Sequence, residues 1–239
     1  MDKSKTILIT GGGGGTGLVL SEYFNNQNYS VIAVDKKFQK KNLSIKTFKC
    51  DFSNLNNLDD LMKKIKKFRI NYIINNAGIS VQSNKPYSYQ VLKKTFNINF
   101  FFHYLLTDFL VKQAIKEKIE NSSLINISSL GEKFGFSNNP SYQTSKAALS
   151  QFTRSLAKDY SIYGFRFNNI MPGYIKTDMT IRSFKNKTKS KERIDRVPLN
   201  RWGNSKDLIK ICEFLLSNNS SYINGATIPV DGGWSISGI

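Results

Sequence analysis

The chain is poor in the residues that build metal centres and disulfide frameworks. Its 239 residues include two cysteines, Cys50 and Cys212, and a single histidine, His103. Two isolated cysteines give neither a disulfide framework nor the ligand spacing of a zinc site, and they fit a reducing compartment. We therefore expect a cytoplasmic protein without a metal.

Long apolar runs and leader sequences are also missing. The densest apolar run, residues 98–106, is shorter than the 18–20 residues of a membrane span and contains Asn99 and His103. Residues 1–5 lead into a strand pattern without the features of a signal peptide. We expect no membrane partner, and no linker or repeat divides the chain into domains.

Acidic residues are scarce: the chain has 17 of them and 35 basic residues, which gives a net charge of +18. Such an excess is typical of nucleic-acid or anionic-surface binders, but it also arises in a composition rich in Lys, Asn, Ile and Phe. The basic residues are dispersed over residues 36–41, 63–67, 112–118 and 182–196, without a nucleic-acid-binding motif. We favour the compositional explanation and do not expect a nucleic-acid partner.

Glycine is concentrated near the start of the chain, where residues 10–17 read TGGGGGTG. A flexible linker is one explanation. However, a β-branched run at residues 5–10 precedes the glycines and a helical pattern at residues 17–24 follows them. A strand, a tight glycine turn and a helix form a phosphate cradle, because N–H groups at the helix N-terminus point at an anion.

Strand and helix patterns alternate along the rest of the chain. Further strands are predicted at residues 31–35, 45–50, 71–75, 124–128, 165–171 and 226–230, and helices at 55–68, 92–118, 141–160 and 207–216. Strands that are apolar on both faces and alternate with helices are typical of a parallel sheet covered on both sides. The predicted fold is α/β, a doubly wound parallel sheet of about seven strands, with ligands bound beyond the strands' carboxyl ends.

Two further features indicate a dinucleotide and proton transfer. Asp35 ends the second strand about 20 residues after the glycine turn, where dinucleotide folds place an acid on the adenosine ribose hydroxyls. Tyr142 and Lys146 are four residues apart on a predicted helix and so share a face, where an ammonium lowers the pKa of a phenol. Taken alone, this pair is better explained as a solvated helix face.

Together these motifs resemble the classical short-chain dehydrogenase/reductase family over nearly the whole chain, including members such as 3-oxoacyl-[acyl-carrier-protein] reductase. Residues 10–17 match its T-G-x-x-x-G-x-G turn, and residues 75–78 match its N-N-A-G motif. Ser129 precedes Tyr142 by 13 residues, and the further matches are Asn168, residues 172–173, 175–177 and 230–233. The resemblance implies a single Rossmann domain, residues 1–239, with a substrate lid at about residues 178–203.

The resemblance also implies roles for four residues. Tyr142 would be the general acid/base, and Lys146 would bind the nicotinamide ribose and lower the pKa of the phenol. Ser129 would orient the reacting oxygen. Asn99 would support a water in the proton path; Asn97 is the alternative, but only Asn99 fits the family's pattern in the sequence FNIN.

The implied coenzyme is a nicotinamide dinucleotide. Asp35 should repel a 2′-phosphate and favour NAD(H), whereas Lys36 and Lys37 would favour NADP(H). We expect NAD(H) to be preferred and NADP(H) to be second, because water and salt screen exposed lysines. The predicted contacts are Gly11, Gly13, Gly14, Gly15, Thr16, Gly17, Asp35, Lys36, Asp51, Phe52, Asn76, Ala77, Gly78, Tyr142, Lys146, Pro172, Gly173, Ile175 and Thr177.

The implied activity is the interconversion of a secondary alcohol and a ketone in a small molecule, either a 3-oxoacyl thioester or a sugar or polyol. Basic residues in the lid indicate either an anionic or carrier-linked substrate or a solvated basic helix. The alternative is a non-catalytic protein that senses a dinucleotide or binds nucleic acid. Retention of Ser129, Tyr142 and Lys146 argues against that alternative.

A homotetramer is the expected assembly. Aromatic and aliphatic residues at 100–105 offer more apolar surface than one sheet contact covers. The C-terminal residues 232–239 also end on apolar side chains, and the resemblance places such tails at subunit contacts.

Overall fold

The structure is a computed structural model that describes residues 5–39 and 44–237. Its strands are β1 (Thr6–Thr10), β2 (Ser30–Asp35), β3 (Lys46–Lys49), β4 (Ile70–Asn75), β5 (Ser122–Ile127), β6 (Phe165–Pro172), β7 (Ile175–Lys176), β8 (Gly203–Asn204) and β9 (Thr227–Val230). Seven of them form one sheet in the order β3-β2-β1-β4-β5-β6-β9, and every neighbouring pair is parallel. The predicted seven-stranded parallel sheet is confirmed.

The helices are α1 (Gly15–Asn26), α2 (Asn57–Ile65), α3 (Tyr89–Phe96), α4 (Phe102–Lys116), α5 (Pro140–Tyr160), α6 (Ile181–Lys185), α7 (Lys187–Ile194) and α8 (Ile209–Leu216). They cover both faces of the sheet, as β1 illustrates: Leu8 packs in a cluster with α2, α4 and α5, whereas Ile7 and Ile9 pack with α1 and α8. Successive side chains of a strand point to opposite faces, so both faces of β1 are buried.

The strand order places a cleft at the centre of the sheet. From β1 the chain moves outward to β2 and β3, and it then crosses to the other side of β1 to form β4, β5 and β6. The connections that leave β1 and β4 therefore diverge at the carboxyl end of the sheet. Ligands of open α/β sheets bind at such a reversal of strand order.

The predicted helix at residues 92–118 differs from the observed structure. It is two helices, α3 and α4, joined by a π-helical segment at Asn97–Phe101. Apolar periodicity does not reveal this break, because the wider turn changes the hydrogen-bond pattern rather than the composition. Such π-helical turns occur frequently at functional sites.

Some of the predicted features lie outside the described residues: the N-terminal residues 1–4, Lys40 and Lys41 of the first basic group, and residues 238–239 of the apolar C-terminal segment. Among the helices that are described, none has the length and apolarity needed to cross a bilayer.

Candidate active site

A cleft of about 340 Å³ lies beyond the carboxyl ends of the central strands. Its wall is formed by the turns that follow β1, β2, β3, β4, β5 and β6. The structure brings together Ser129 and all the predicted coenzyme contacts except Gly13 and Gly17: Gly11, Gly14, Gly15, Thr16, Asp35, Lys36, Asp51, Phe52, Asn76, Ala77, Gly78, Tyr142, Lys146, Pro172, Gly173, Ile175 and Thr177.

Gly13 and Gly17 do not line the cleft. Their lack of a side chain instead allows the turn to pack closely against neighbouring backbone. A Cβ atom on Gly13 would lie 2.0 Å from the carbonyl oxygen of Lys37. One on Gly17 would lie 2.0 Å from the carbonyl oxygen of Gly11. Both contacts would be with backbone atoms, which cannot move aside, so the turn requires glycine at these two positions, and their contact with the coenzyme stays a prediction.

The glycine turn presents a helix N-terminus and a carboxylate to the cleft. Helix α1 begins at Gly15, and its N-cap residue, Gly14, has no side chain to accept from the first N–H groups. The Asp35 carboxylate accepts hydrogen bonds from the N–H of Gly13 at 3.0 Å and of Lys37 at 3.3 Å. The N-terminus suits phosphate oxygens, and the carboxylate suits ribose hydroxyls, so these residues fit a dinucleotide.

Tyr142 and Ser129 meet on the opposite side of the cleft. Tyr142 lies in the first turn of α5 and is half-buried, and Ser129 follows β5. Burial raises the pKa of the Tyr142 phenol, while a hydrogen bond with the Ser129 side chain opposes that rise. The neighbouring Ser128 is buried, and its hydroxyl donates to the carbonyl of Lys146 at 3.4 Å. Of the two serines, only Ser129 therefore contacts the phenol, and its role towards the reacting oxygen stays a prediction.

Lys146 is almost completely buried, one helical turn beyond Tyr142, with 3% of its surface exposed. Its ammonium donates to the carbonyl oxygen of Ile127 at 2.6 Å. Burial lowers the pKa of Lys146 to about 8, and the charge of Glu132 opposes that shift. A Cβ atom on Gly78 would lie 3.4 Å from the ammonium, so this glycine leaves room for the lysine head.

The predicted effect of Lys146 on Tyr142 is not found in this structure. The sequence led us to expect that the ammonium lowers the pKa of the phenol, yet burial raises it. The physical reason is that desolvation dominates at the phenol, while the ammonium is bonded to the Ile127 carbonyl.

Asn99 lies behind the cleft, fully buried within the π-helical segment. Its side-chain oxygen accepts from the N–H of Ile79 at 2.8 Å, and its amide donates to the carbonyl of Ile79 at 3.0 Å. The amide also lies 3.0 Å from the hydroxyl of Ser145 on α5. Asn97 turns the other way and donates to the carbonyl of Ser53 at 2.9 Å. Of the two candidates, only Asn99 therefore connects with the Tyr142 helix.

Sequence reasoning missed a group of cleft residues that carry no motif: Cys50, Ile79, Ile98, Ile127, Ser128, Asp178, Met179, Thr180 and Leu208. Most are apolar side chains that the core pattern does not distinguish from other buried residues. Thr180 is an exception, since its hydroxyl donates to the carbonyl of Ile175 at 2.6 Å and accepts from the N–H of Thr177. The spacing T-x-x-T after β7 is a local turn signal that would have identified it.

The predicted lid, residues 178–203, contains the short helices α6 and α7. Trp202 holds it in place: the indole N–H donates to the hydroxyl of Ser190 at 2.8 Å, and the ring lies 5.5 Å from that of Phe184. The guanidinium of Arg193 lies 4.6 Å from the ring of Tyr174. The basic side chains of α7 do not line the cleft, whereas Met179 and Thr180 do.

Comparison with known proteins identifies relatives of similar length. A family model described as enoyl-(acyl carrier protein) reductase matches residues 14–235. The chain is 34% identical over 187 residues to the 2-dehydro-3-deoxy-D-gluconate 5-dehydrogenase of Dickeya dadantii (strain 3937), covering 77% of this chain and 74% of that protein. It is 31% identical over 243 residues to the 3-oxoacyl-[acyl-carrier-protein] reductase FabG of Rickettsia typhi, covering 96% of each.

Solved structures give the same result. A structure of 4-hydroxyisoleucine dehydrogenase complexed with NADH is similar to this chain with a TM-score of 0.92 and 28% identity. The alignment covers 98% of this chain and 100% of that chain. The similarity thus includes the whole sheet and the cleft at its carboxyl end.

Proposed function

Because the chain belongs to the classical short-chain dehydrogenase/reductase family, we propose that Tyr142, Ser129 and Lys146 carry out its chemistry in the cleft described above. The protein is an NAD(P)-dependent oxidoreductase that interconverts a secondary alcohol and a ketone. The observation that carries the assignment of residues is the meeting of Ser129 and Tyr142 beside the buried Lys146, across the cleft from the glycine turn.

The bound nicotinamide would supply or accept the hydride, and the side chains would manage the proton. The Ser129 hydroxyl donates to the substrate oxygen and orients it towards the Tyr142 phenol. In ketone reduction the phenol gives its proton to that oxygen, and in alcohol oxidation the phenolate removes it. Lys146 would bind the nicotinamide ribose hydroxyls, and Asn99, which bonds Ser145 of α5, would support a water in the proton path. A positioned acid/base of this kind typically contributes ~10²–10⁴-fold to the rate.

NAD(H) is the proposed preferred coenzyme, with NADP(H) second. The Asp35 carboxylate is half-buried and oriented by two backbone N–H groups. It would accept from free ribose hydroxyls and repel a 2′-phosphate. Lys36 and Lys37 are exposed, so screening weakens their attraction for that phosphate. The similar 4-hydroxyisoleucine dehydrogenase was solved with NADH.

The proposed substrate is a small ketone or secondary alcohol with a negative charge, either a keto sugar acid or a carrier-linked 3-oxoacyl thioester. Both alternatives have a named relative, the gluconate 5-dehydrogenase and the acyl-carrier-protein reductase. We propose that residues 178–203 close over it as a lid. Eight basic and three acidic residues give this segment a net positive charge. Among the charged residues of the lid, all of which the structure describes, only Asp178 lines the cleft, so the basic residues would attract an anion from a distance rather than bind it in the cleft.

A homotetramer in the cytoplasm is the proposed state of the protein. Phe101 at the end of the π-helical segment and Tyr104 and Leu105 of α4 are each more than 40% accessible, and their spacing places them on one face of the helix. Apolar faces of this kind are typical of contacts between subunits, and two-fold symmetry would bring each face against its own copy. Light scattering tests this assembly, and a 27.2 kDa monomer at micromolar concentration would contradict it.

A substrate panel tests the proposed activity. Keto sugar acids, sugars and 3-oxoacyl thioesters are offered with NADH and NADPH, and the corresponding alcohols with NAD⁺ and NADP⁺, while the nicotinamide absorbance is followed. We expect turnover of an anionic ketone with NADH and almost none with the Tyr142→Phe control. Equal turnover by the control would remove Tyr142 from the mechanism.

A further inference from the structure

The single histidine lies between the coenzyme wall and the proton-transfer side of the cleft. His103 is on α4, and none of its surface is exposed. Its Nε2 atom lies 3.0 Å from the hydroxyl oxygen of Thr10, at the end of β1. Its Nδ1 atom lies 3.3 Å from the backbone carbonyl oxygen of Asn99. The sequence indicated this residue only as evidence against a metal site.

These partners determine where the imidazole carries its proton. A carbonyl oxygen only accepts, so the contact with Asn99 requires a hydrogen on Nδ1. Burial and, to a smaller extent, the charge of Lys146 lower the pKa of His103 to about 3, although the bond to the Asn99 carbonyl opposes the shift, so the ring is neutral. In the neutral ring Nε2 then accepts, and the Thr10 hydroxyl donates to it.

The Thr10 hydroxyl is thereby oriented to hold the next strand's turn. Its oxygen accepts the N–H of Asn76 at 3.0 Å and the N–H of Ala77 at 3.1 Å. The carbonyl oxygen of Ile74 is a second acceptor within reach of this hydroxyl, but at 3.5 Å it lies farther away than Nε2 at 3.0 Å, so the single hydrogen is directed to His103 and the two accepted bonds fill the oxygen. Asn76 and Ala77 both line the cleft where the adenosine side of the coenzyme would lie.

The other end of the network reaches the same turn from the opposite side. Asn99, whose carbonyl accepts from His103, binds the backbone N–H and C=O of Ile79 through its side chain. The turn at residues 76–79 is therefore held at its start through Thr10 and at its end through Asn99. His103 contacts both of these supports.

We propose that His103, in its Nδ1–H form, is a positioning residue that fixes Thr10 and Asn99 relative to each other, so that the coenzyme wall and the proton-transfer side of the cleft keep one geometry. This role rests on the proposed function. His103 touches neither coenzyme nor substrate and carries no proton in the reaction. Its ring is flanked by Phe52 and Phe102, each with its ring centre 6.4 Å away.

The ionisation state can be measured without any assay of activity. Because the chain contains one histidine, tag-free protein labelled with ¹⁵N-histidine gives the nitrogen signals of a single imidazole. We expect the Nδ1–H form at every pH between 5 and 9, with no titration. An Nε2–H form, or a titration near the ordinary pKa of about 6.5, would overturn the proposal.

Two substitutions each remove one of the two hydrogen bonds of His103, the bond to Thr10 or the bond to Asn99. In His103→Asn the amide nitrogen occupies the position of Nδ1 and retains the bond to Asn99, while the bond to Thr10 is lost. In His103→Gln the amide reaches the position of Nε2 and Thr10, while the bond to Asn99 is lost. Loss of one hydrogen bond corresponds to about a tenfold effect.

We expect His103→Asn to weaken NADH binding about tenfold, with kcat within about threefold, and His103→Gln to lower kcat about tenfold, with NADH binding within about threefold. Ser123→Ala is the control: it removes a buried hydroxyl near the start of β5, at the end of the sheet away from the cleft, that donates to the carbonyl of Leu215. It should lower the melting temperature without changing either quantity. If both histidine variants lose affinity and kcat equally, in proportion to their melting temperatures, His103 has only a structural role.

The NADH titration and the NMR measurement do not depend on the substrate. A protein that shows the expected imidazole signal and the expected loss of NADH affinity in His103→Asn, but no turnover of any substrate, would contradict the proposed function and not the role of His103 in the coenzyme wall.

Discussion

The two sides of the cleft differ in how they are held. The coenzyme wall, formed by the glycine turn and the ends of β1, β2 and β4, stands on strands whose central residues, such as Ile9 and Val34, are fully buried. Half of the lid, residues 178–203, consists of α6 and α7, neither of which contains a buried residue. The buried apolar side chains of the lid are Val197 and Trp202, near its end. The wall is thus part of the core, whereas the two lid helices lie on its surface.

Because of this difference, we expect the wall to open only by global unfolding and the lid to open locally. Opening the coenzyme wall would expose the centre of both hydrophobic clusters, so we expect it to unfold only with the whole domain. Helices of five and eight residues are marginal by themselves, and the lid depends on the contacts of Trp202 with Phe184 and Ser190. In the proposed function, chemistry and coenzyme binding would belong to the rigid side, and substrate selection to the lid.

The largest expected effect is at the rigid side. Tyr142→Phe should lower kcat by ~10²–10⁴-fold, because the phenol is the proposed acid/base and the ring's packing is retained. NADH affinity and melting temperature should stay close to those of the parent. Steady-state kinetics with a titration of NADH checks this result, and activity within a few-fold of the parent would contradict it.

Lys146→Met should impair both NADH binding and turnover, by about tenfold or more each, because one ammonium serves the ribose and the proton path. Because burial, and not the ammonium, dominates the pKa of Tyr142, the variant's residual rate should depend on pH as that of the parent does. Rate profiles from pH 6 to 10 check this expectation. A profile displaced to alkaline pH would show that the ammonium does lower the pKa of the phenol, and an unchanged NADH affinity would refute the contact with the ribose.

The same substitution has an effect on stability with a defined sign. The pKa of Lys146 falls from its ordinary 10.5 to about 8 in the folded chain. The folded state therefore holds this proton less tightly than the unfolded state. The free-energy cost of keeping the buried ammonium charged is complete below pH 8 and disappears as the pH approaches 10.5. The free energy of unfolding of Lys146→Met relative to the parent should be highest below pH 8 and decline above it. Urea titrations at pH 7 and pH 10 measure the difference.

The rigid side is also the part that the sequence predicts best. The seven strands follow from apolar runs between helical patterns, and the Gly-rich turn and Asp35 follow from their spacing along β1 and β2. Buried strands leave a strong pattern because both of their faces must be apolar.

Three features could not be read from the sequence, each because it depends on three-dimensional context. The π-helical segment around Asn99 leaves no mark in apolar periodicity. The bond from Lys146 to Ile127 links a helix to a distant strand end. The role of His103 depends on Thr10, 93 residues earlier in the chain. Composition indicated a basic lid, but only the structure places its charges away from the cleft wall.

A smaller effect is expected where the wall selects the coenzyme. Asp35→Ala removes the carboxylate that should accept from the ribose hydroxyls, so NADH affinity should fall about tenfold. NADPH affinity should stay constant or rise, since Lys36 and Lys37 then face a 2′-phosphate without an opposing charge. The ratio of kcat/KM values for the two coenzymes measures the change. A constant ratio would mean that Asp35 does not contact the ribose.

The smallest effect on the whole fold is expected from Trp202→Ala. This variant tests most directly whether the lid opens separately from the coenzyme wall. The substitution removes the ring contacts with Phe184 and Tyr174 and the hydrogen bond to Ser190. Because no residue of α6 or α7 is buried, the loss of these contacts should appear as local opening of the lid. We expect faster trypsin cleavage at the lid's basic residues and a several-fold higher substrate KM. NADH affinity should be unchanged, and the melting temperature should fall by only a few degrees. Trp202→Phe keeps a ring but loses the N–H, so its rate of trypsin cleavage and its substrate KM should lie between those of Trp202→Ala and the parent. If trypsin cleavage and global unfolding instead increase in parallel, the lid and the coenzyme wall form one cooperative unit.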